Sequence, residues 1–255
     1  MTFPIKISLH LILFFLLTRT VIIGADFQEL MNRGDAAFTE GNFQQAVELY
    51  TQILNGGHTS AALEYNLGNA CFKLDQVGQS ILHLERAHKL SPRDEDIQFN
   101  LNYVKLYRQD QLDLPGRSAL VEQFESLRRY FTLRELALAA IICWVLLVVS
   151  FVIFWHGRGK RYGNQAFYIF LTATTMFILV GGWSLDSYRL DSQKQIVVME
   201  TEVQIHSAPV ETSKVLFILH EGMEGTVKSQ ADAWYEIKLA DGKTGWVQAD
   251  AVAQI

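Results

Sequence analysis

Two long runs without a charged side chain, Leu136–Trp155 and Ala166–Leu185, place the strongest constraint on how this chain can fold. Each run is long enough to cross the hydrocarbon core of a bilayer as a helix, which takes about 20 apolar residues. The rest of the chain offers no domain large enough to bury two such helices in a soluble core. We therefore predict a two-helix transmembrane hairpin, with one helix over residues 134–156 and the other over 164–186.

The loop between these helices, residues 157–163, carries Arg158, Lys160 and Arg161 and no acidic residue. Short loops rich in Lys and Arg remain in the cytoplasm. The two flanking parts of the chain are therefore expected on the opposite side of the membrane.

The first 25 residues have the pattern of a secretory signal peptide. Lys6 lies near the start, Leu9–Leu17 form an apolar core, and Gly24-Ala25 supply small residues for cleavage. An uncleaved anchor remains an alternative, because Arg19 interrupts the pattern. The signal peptide at 1–25 and the basic loop predict one topology, a multi-pass protein of the bacterial inner membrane with both soluble parts in the periplasm.

Residues 26–113 contain a repeat in which equivalent positions are 34 residues apart: Gly34 aligns with Gly68, and Tyr50 aligns with Leu84. This is the period of tetratricopeptide repeats (TPR), which are pairs of helices stacked side by side. The glycines let the two helices of each hairpin approach closely, and the larger side chains fill the space opposite them. The pattern predicts an α-helical TPR domain.

The third unit of this repeat is degenerate. Residues 97–103 resemble residues 63–69, and we predict one long helix over 94–111 that caps the stack. Residues 114–133 form an amphipathic connector with apolar side chains on one face. Either this connector packs against the repeats, or it lies on the membrane surface before the first span.

Stacked repeats of this kind bind extended or helical peptides in a groove lined by the first helix of each unit. Asn side chains there can pair with both the donor and the acceptor of a peptide backbone, although they can equally well order the hairpin itself. Met31, Asp35, Asp96 and Asn100 stand where one known variant places basic residues, so capture of a peptide carboxylate is not expected. The predicted protein-binding groove comprises Tyr65, Asn66, Asn69, Phe72, Phe99, Asn100 and Tyr103.

Residues 196–255 change to the alternating pattern of short strands. Asp241-Gly242 fits a tight hairpin turn. About 60 residues with this many strands predict a small, closed, all-β barrel. The predicted strands are Ile196–Val198, Val203–Ile205, Val215–Leu219, Thr226–Lys228, Trp234–Leu239 and Gly245–Val247.

The chemistry of the chain argues against several functions. The net charge is −5 and neither soluble part has a basic stripe, so nucleic-acid binding is not expected. No catalytic, phosphate-binding or metal-binding motif is present, and no enzyme activity, cofactor or metal is predicted. The two cysteines, Cys71 and Cys143, lie in separate helices and are interpreted as small buried apolar residues.

The segments VQIHSAP, LHEG and WYEIKLADGKTGWV resemble bacterial SH3-type domains. The resemblance implies that Trp234 and Trp246 are core or groove-wall residues, with the core favoured for Trp246. Trp234 and Tyr235 are the candidates for an SH3-like binding surface. Such domains often hold cell-wall peptides or proteins.

A signal peptide, YNLGNACFKL with SILHLERAHKL, two closely spaced spans and the SH3-like segments follow one another in an order that resembles the BatE family. These are the TPR/SH3 proteins of the bacterial Bat aerotolerance operon. The resemblance implies von Willebrand A-type membrane proteins and a MoxR-type ATPase system as partners. It suggests a non-catalytic adaptor that assembles a Bat-type envelope or aerotolerance complex. The alternative is a membrane-anchored module that binds cell-wall peptide.

Overall fold

The computed structural model describes residues 27–111, 123, 130–157 and 163–255. The predicted signal peptide, most of the amphipathic connector, and the loop residues Arg158, Lys160 and Arg161 lie outside the described residues. The described ranges form a helical region, a pair of long apolar helices and a β-sheet, in that order along the chain.

The N-terminal region consists of consecutive packed helices. Helix α1 covers residues 27–39, and it is followed by α2 (Phe43–Asn55), α3 (Ala61–Lys73), α4 (Val77–Leu90) and α5 (Glu95–Lys105). Ser60 caps α3 by accepting a hydrogen bond from the backbone N–H of Leu63, and Asp94 caps α5 in the same way. These side chains satisfy backbone donors that the first turn of a helix leaves unpaired.

The 34-residue register is visible in the packing of these helices. A Cβ atom added to Gly34 would lie 2.4 Å from the ring of Tyr50, and one added to Gly68 would lie 2.8 Å from Cγ of Leu84. Both distances are too short for real side chains, so each glycine allows one contact between the helices of a pair. The same contact therefore occurs twice, at equivalent positions of the two units.

Two apolar helices follow, Leu133–Gly157 and Gly163–Asp191. Both are long and apolar enough to cross a membrane, and only 17% and 6% of their most hydrophobic windows are buried. A core helix of a soluble protein would be mostly covered. The two helices pack against each other, with Phe154 stacked on Phe170 at a centroid distance of 5.9 Å.

A capping box starts the first apolar helix. The backbone N–H of Glu135 donates to Oγ1 of Thr132 at 3.3 Å, and the backbone N–H of Thr132 donates to Oε2 of Glu135 at 3.0 Å. This reciprocal pairing satisfies two donors at the helix start. The helix therefore starts at Leu133, one residue before the predicted start of the first membrane helix.

The C-terminal region is an antiparallel sheet of seven strands: β1 (Gln195–Val198), β2 (Glu202–His206), β3 (Val215–His220), β4 (Glu224–Ala231), β5 (Trp234–Lys238), β6 (Thr244–Gln248) and β7 (Val252–Gln254). Their order in the sheet is β3-β2-β6-β5-β4-β1-β7. Its core contains Ile196, Ile205, Met223 and Ile237. Gly242 has a φ of +92° in the turn between β5 and β6, a conformation that glycine adopts without strain.

The helical region and the sheet share an apolar core. Val197 of β1 is fully buried against Ile81 of α4 and Val104 of α5. Gly78 at the start of α4 donates its backbone N–H to Glu221 at 2.6 Å, and Arg86 donates to the backbone oxygen of Gln254. The two soluble parts therefore pack as one unit.

Charged side chains border this shared core. Lys105 lies between Glu85 and Glu224, with 3.0 Å from its Nζ to the Glu224 carboxylate, and Arg108 also lies 3.0 Å from Glu224. Loss of hydration raises the pKa of Glu224 to about 7, against the opposing effect of Lys105 and reinforced by the Glu85 carboxylate. Nearby, both the backbone N–H and the ring Nδ1 of His220 contact the Asp110 carboxylate, at 2.7 and 2.8 Å.

The structure corrects two details of the sequence analysis. Helix α5 ends at Lys105, not at residue 111, because the next residues turn so that Arg108 and Asp110 can pair with the sheet. The sheet has a seventh strand, β7, which was not predicted. It pairs with β1 and completes the face that contacts α4.

Candidate functional site

The groove is formed by side chains of the first helices α1, α3 and α5. It holds two neighbouring cavities of about 320 and 300 Å³, which share Phe38 and Asn69 as lining residues. The larger cavity is also lined by Asp35, Thr39, Tyr50, Tyr65 and Asn66, and the smaller by Phe72, Lys73, Asn100, Tyr103 and Val104.

Asp35 organises the larger cavity. Its Oδ1 accepts hydrogen bonds from the Tyr50 hydroxyl at 2.7 Å and from Nδ2 of Asn66 at 2.9 Å. Burial, together with the hydrogen bond to the Asp35 carboxylate, raises the pKa of Tyr50, so this hydroxyl remains a donor at all physiological pH values. The carboxylate is therefore held in a fixed orientation by α2 and α3.

Asn100 organises the boundary between α3 and α5. Its Nδ2 donates to the Tyr65 hydroxyl at 2.8 Å and to Oδ1 of Asn69 at 2.9 Å. The predicted asparagines are thus already engaged with protein groups, so they order the helices as well as lining the groove. Within the part of the chain that the structure describes, the amide nitrogen of Asn69 and the amide oxygen of Asn100 keep pairing capacity for a ligand.

Aromatic rings line the far end of the groove. The ring of Phe72 meets the edges of Tyr103 and Tyr107 at centroid distances of 5.7 and 5.0 Å. The Tyr103 and Tyr107 hydroxyls are 2.7 Å apart. Tyr103 is 43% exposed although it takes part in these contacts, so it offers a rigid ring to solvent. Large, pre-ordered aromatic surfaces are typical anchors for protein partners.

Six of the seven predicted groove residues line the two cavities, and Phe99 does not. Phe99 is 70% exposed and stacks beside Tyr103, outside the lining of either cavity. Tyr107 was missed, although it follows Tyr103 by one helical turn and occupies the position equivalent to Lys73 in the 34-residue register. That register was the signal that could have identified it.

The described residues, 27–111, 123, 130–157 and 163–255, contain no group of three or more His, Cys, Asp or Glu side chains that could hold a metal ion. His83 instead pairs with Glu64 at 2.7 Å inside the helical core. Cys71 and Cys143 are both free and buried, as predicted. Burial raises the pKa of the Cys71 thiol to about 12, which leaves it unreactive as a nucleophile.

In the sheet, Trp234 is more buried than Trp246. Trp234 is only 9% exposed and its ring meets the edge of His206 at 5.3 Å, so the proposal of Trp234 as a surface residue is wrong. β5 starts at Trp234 and its register turns this side chain inward. Trp246 is half-buried instead of fully buried. Tyr235 packs partly on the core, and its hydroxyl accepts from Gln254 at 3.2 Å.

The range that matches a known family covers most of this sheet. Residues 199–253 match the family described as Bacterial SH3 domain. This region is a bacterial SH3 domain. The chain matches none of the curated proteins with which it was compared.

The matched range begins after β1. Strand β1, which packs against α4, therefore lies outside the matched residues. β1 is inserted between β4 and β7 of the SH3 domain and buries Val197 against the helices. β1 is thus the strand through which the sheet contacts the helical region.

Proposed function

We propose that the chain is a non-catalytic adaptor of the bacterial inner membrane, with TPR repeats and an SH3 domain that assemble a Bat-type envelope or aerotolerance complex. In this proposal the signal peptide and the basic loop place both soluble parts in the periplasm. The partners are proteins, with von Willebrand A-type membrane proteins and a MoxR-type ATPase system as the candidates implied by the BatE resemblance.

The observation that carries the proposal is the groove. Two adjoining cavities, a hydrogen-bonded polar floor and exposed aromatic rings fit an extended segment of another protein. The repeated glycine contacts at Gly34 and Gly68 support TPR hairpins as the scaffold that forms this groove. The two apolar helices support attachment to a membrane.

The test uses two aromatic residues on one helix. In full-length protein crosslinked in membranes, Tyr103→Ala should abolish co-purification of the protein partner, because Tyr103 lines a cavity. Phe99→Ala is the matched control, because it removes an exposed ring from α5 outside the cavities. Circular dichroism must show equal helical content for both variants. Equal loss of the partner in both, or in neither, would contradict binding in the groove.

The second candidate function is binding of cell-wall peptide by the SH3 domain. The match to Bacterial SH3 domain over residues 199–253 favours it, because such a domain suggests either wall-peptide or protein binding. Sedimentation of the detergent-solubilised chain with purified cell-wall sacculi distinguishes the two. Wall binding that survives Tyr103→Ala, with no protein partner recovered from the unmodified chain, would favour the second function.

A further inference from the structure

The larger cavity of the groove contains a carboxylate without a cationic partner. Both hydrogen bonds to Asp35, from Tyr50 and Asn66, reach Oδ1. In the described part of the chain, Oδ2 accepts no hydrogen bond, and no Lys or Arg pairs with Asp35. The orientation of this charge is fixed, while one of its oxygens remains open to the cavity.

The walls of the same cavity are suited to a cation. Phe38 and Tyr65 contribute aromatic rings to the lining, and Phe38 is held by an edge contact with Phe43 at 5.3 Å. A guanidinium or ammonium group gains from a carboxylate and from aromatic faces at the same time. No basic residue lines this cavity among the described residues, since Lys73 lines only its neighbour. A negatively charged ligand group would meet Asp35 with no compensating charge.

The volume of the Asp35 cavity favours an amino-acid side chain over a small ion as its occupant. About 320 Å³ is far more than an inorganic cation needs, and it lies at the lower end of the range of ligand cavities. Arginine fits better than lysine, because its planar guanidinium stacks on aromatic rings and presents several donors to one carboxylate.

The adjoining cavity determines what lies beside this cation. Its lining combines Phe72, Tyr103 and Val104 with the amides of Asn69 and Asn100, and also includes Lys73. Asn69 belongs to both cavities, so a chain that fills both must pass over it. The aromatic and aliphatic part of the lining suits an apolar side chain, Lys73 disfavours a second cation there, and the free amide groups suit a peptide backbone.

We propose that the groove selects an extended peptide with an arginine in the Asp35 cavity and an apolar residue beside it in the Phe72–Tyr103 cavity. The inference rests on the proposed function, since it requires that the groove binds peptide. It adds the charge and the polarity of the ligand, which the proposed adaptor role leaves open.

The test measures binding of a positional-scanning library of N-acetylated, C-amidated octapeptides to the detergent-purified full-length chain. Blocked termini remove the charges that would imitate the side chains. We expect enrichment of Arg over Lys at one position, exclusion of Asp and Glu there, and an apolar preference at a neighbouring position. The preference for Arg should weaken with rising salt, because Asp35 is solvent-exposed.

Asp35→Asn is the decisive variant, because the amide oxygen can still accept from Tyr50 and Asn66 while the charge is lost. It should reduce the preference for Arg by about tenfold or more and leave the apolar preference intact. Asp96→Asn is the matched control. It removes the same charge from first helix α5 at an exposed site that lines neither cavity, and it should leave the preference for Arg unchanged.

An unchanged preference for Arg in Asp35→Asn, an equal loss in Asp96→Asn, or enrichment of acidic residues would each overturn the arginine subsite. Absence of binding to every peptide pool would also overturn it. None of these results affects whether Tyr103→Ala loses its protein partner. The arginine subsite and the adaptor function can therefore be refuted separately. The proposed adaptor function fails only if partner co-purification does not depend on Tyr103.

Discussion

Gly78→Ala tests whether the helical region and the SH3 domain form one unit. A Cβ at residue 78 would lie 2.7 Å from Cγ of Glu221 and 2.9 Å from the backbone oxygen of Val198. The Glu221 side chain can rotate away, but Val198 is held in β1 between two neighbouring strands. The contact is therefore relieved only if α4 and β1 separate.

The substitution has both stabilising and destabilising effects on the free energy of unfolding. Replacing Gly by Ala in a helix gains about 1 kcal/mol in intrinsic propensity. Overpacking a tight contact costs about 1–3 kcal/mol. If the Glu221 side chain rotates away, the 2.6 Å hydrogen bond from Gly78 to its carboxylate is also lost. A hydrogen bond to a charged acceptor contributes about 1.5–3 kcal/mol. Because Glu221 is partly solvent-exposed, we take the lower values. The net expectation is a loss of about 1.5 kcal/mol, concentrated at the interface.

Hydrogen exchange measured by mass spectrometry locates this loss. Exchange should rise in β1, in β7 and in the first turn of α4, while the α1–α2 contact stays protected. Gly34→Ala is the control, because its Cβ would strike the Tyr50 ring inside the helical region and should raise exchange there instead. If Gly78→Ala left exchange in β1 unchanged, or raised it equally in α1, the idea of a single docked unit would be refuted.

Three further predictions use other parts of the chain. Alkaline phosphatase fused after Ile255 should be active, and a fusion in the loop 157–163 should be inactive; the reverse pattern would exclude the periplasmic topology. Because the pKa of Glu224 is raised, the folded state binds a proton at this carboxylate more tightly than the unfolded state does. The docking of the sheet on the helical region should therefore weaken as pH rises from about 5 to 8, by on the order of 1–3 kcal/mol. Thermal melts should show a smaller pH dependence in Glu224→Gln, and an unchanged one would contradict the assignment. Gly68→Leu should cost at least about 1–3 kcal/mol, since its side chain would overlap Leu84, and an unaltered melting temperature would contradict the repeat register.

Local patterns allowed the sequence to predict the helices and most of the strands. The pairing of Gly34 with Tyr50, and of Gly68 with Leu84, spans one helical hairpin, so the 34-residue period was enough to reveal it. The capping box at Thr132 and Glu135 is equally local. Six of the groove residues followed from the same register, because first-helix positions recur with the period.

The docking of the two soluble parts could not be predicted in this way. Gly78 and Glu221 are 143 positions apart, and Arg86 and Gln254 are 168 apart, so no periodic pattern connects them. The early end of α5 was unpredictable for the same reason, because the residues after it form ion pairs with residues far away in the sequence. Trp234 was misplaced for a different reason. Alternation predicts that a strand has two faces, and only its pairing partners decide which face is buried.

The position of β1 has a consequence for how the protein is made. β1 lies between β4 and β7, and the backbone N–H of Ile255 donates to Gln195 at its start. The face of α4 and α5 that receives Val197 therefore stays uncovered while residues 106–194 and the rest of the sheet are synthesised. Ile81 and Val104 are exposed to solvent or to a chaperone during that interval. The sheet around β1 is complete only when β7, which pairs with β1, has been synthesised.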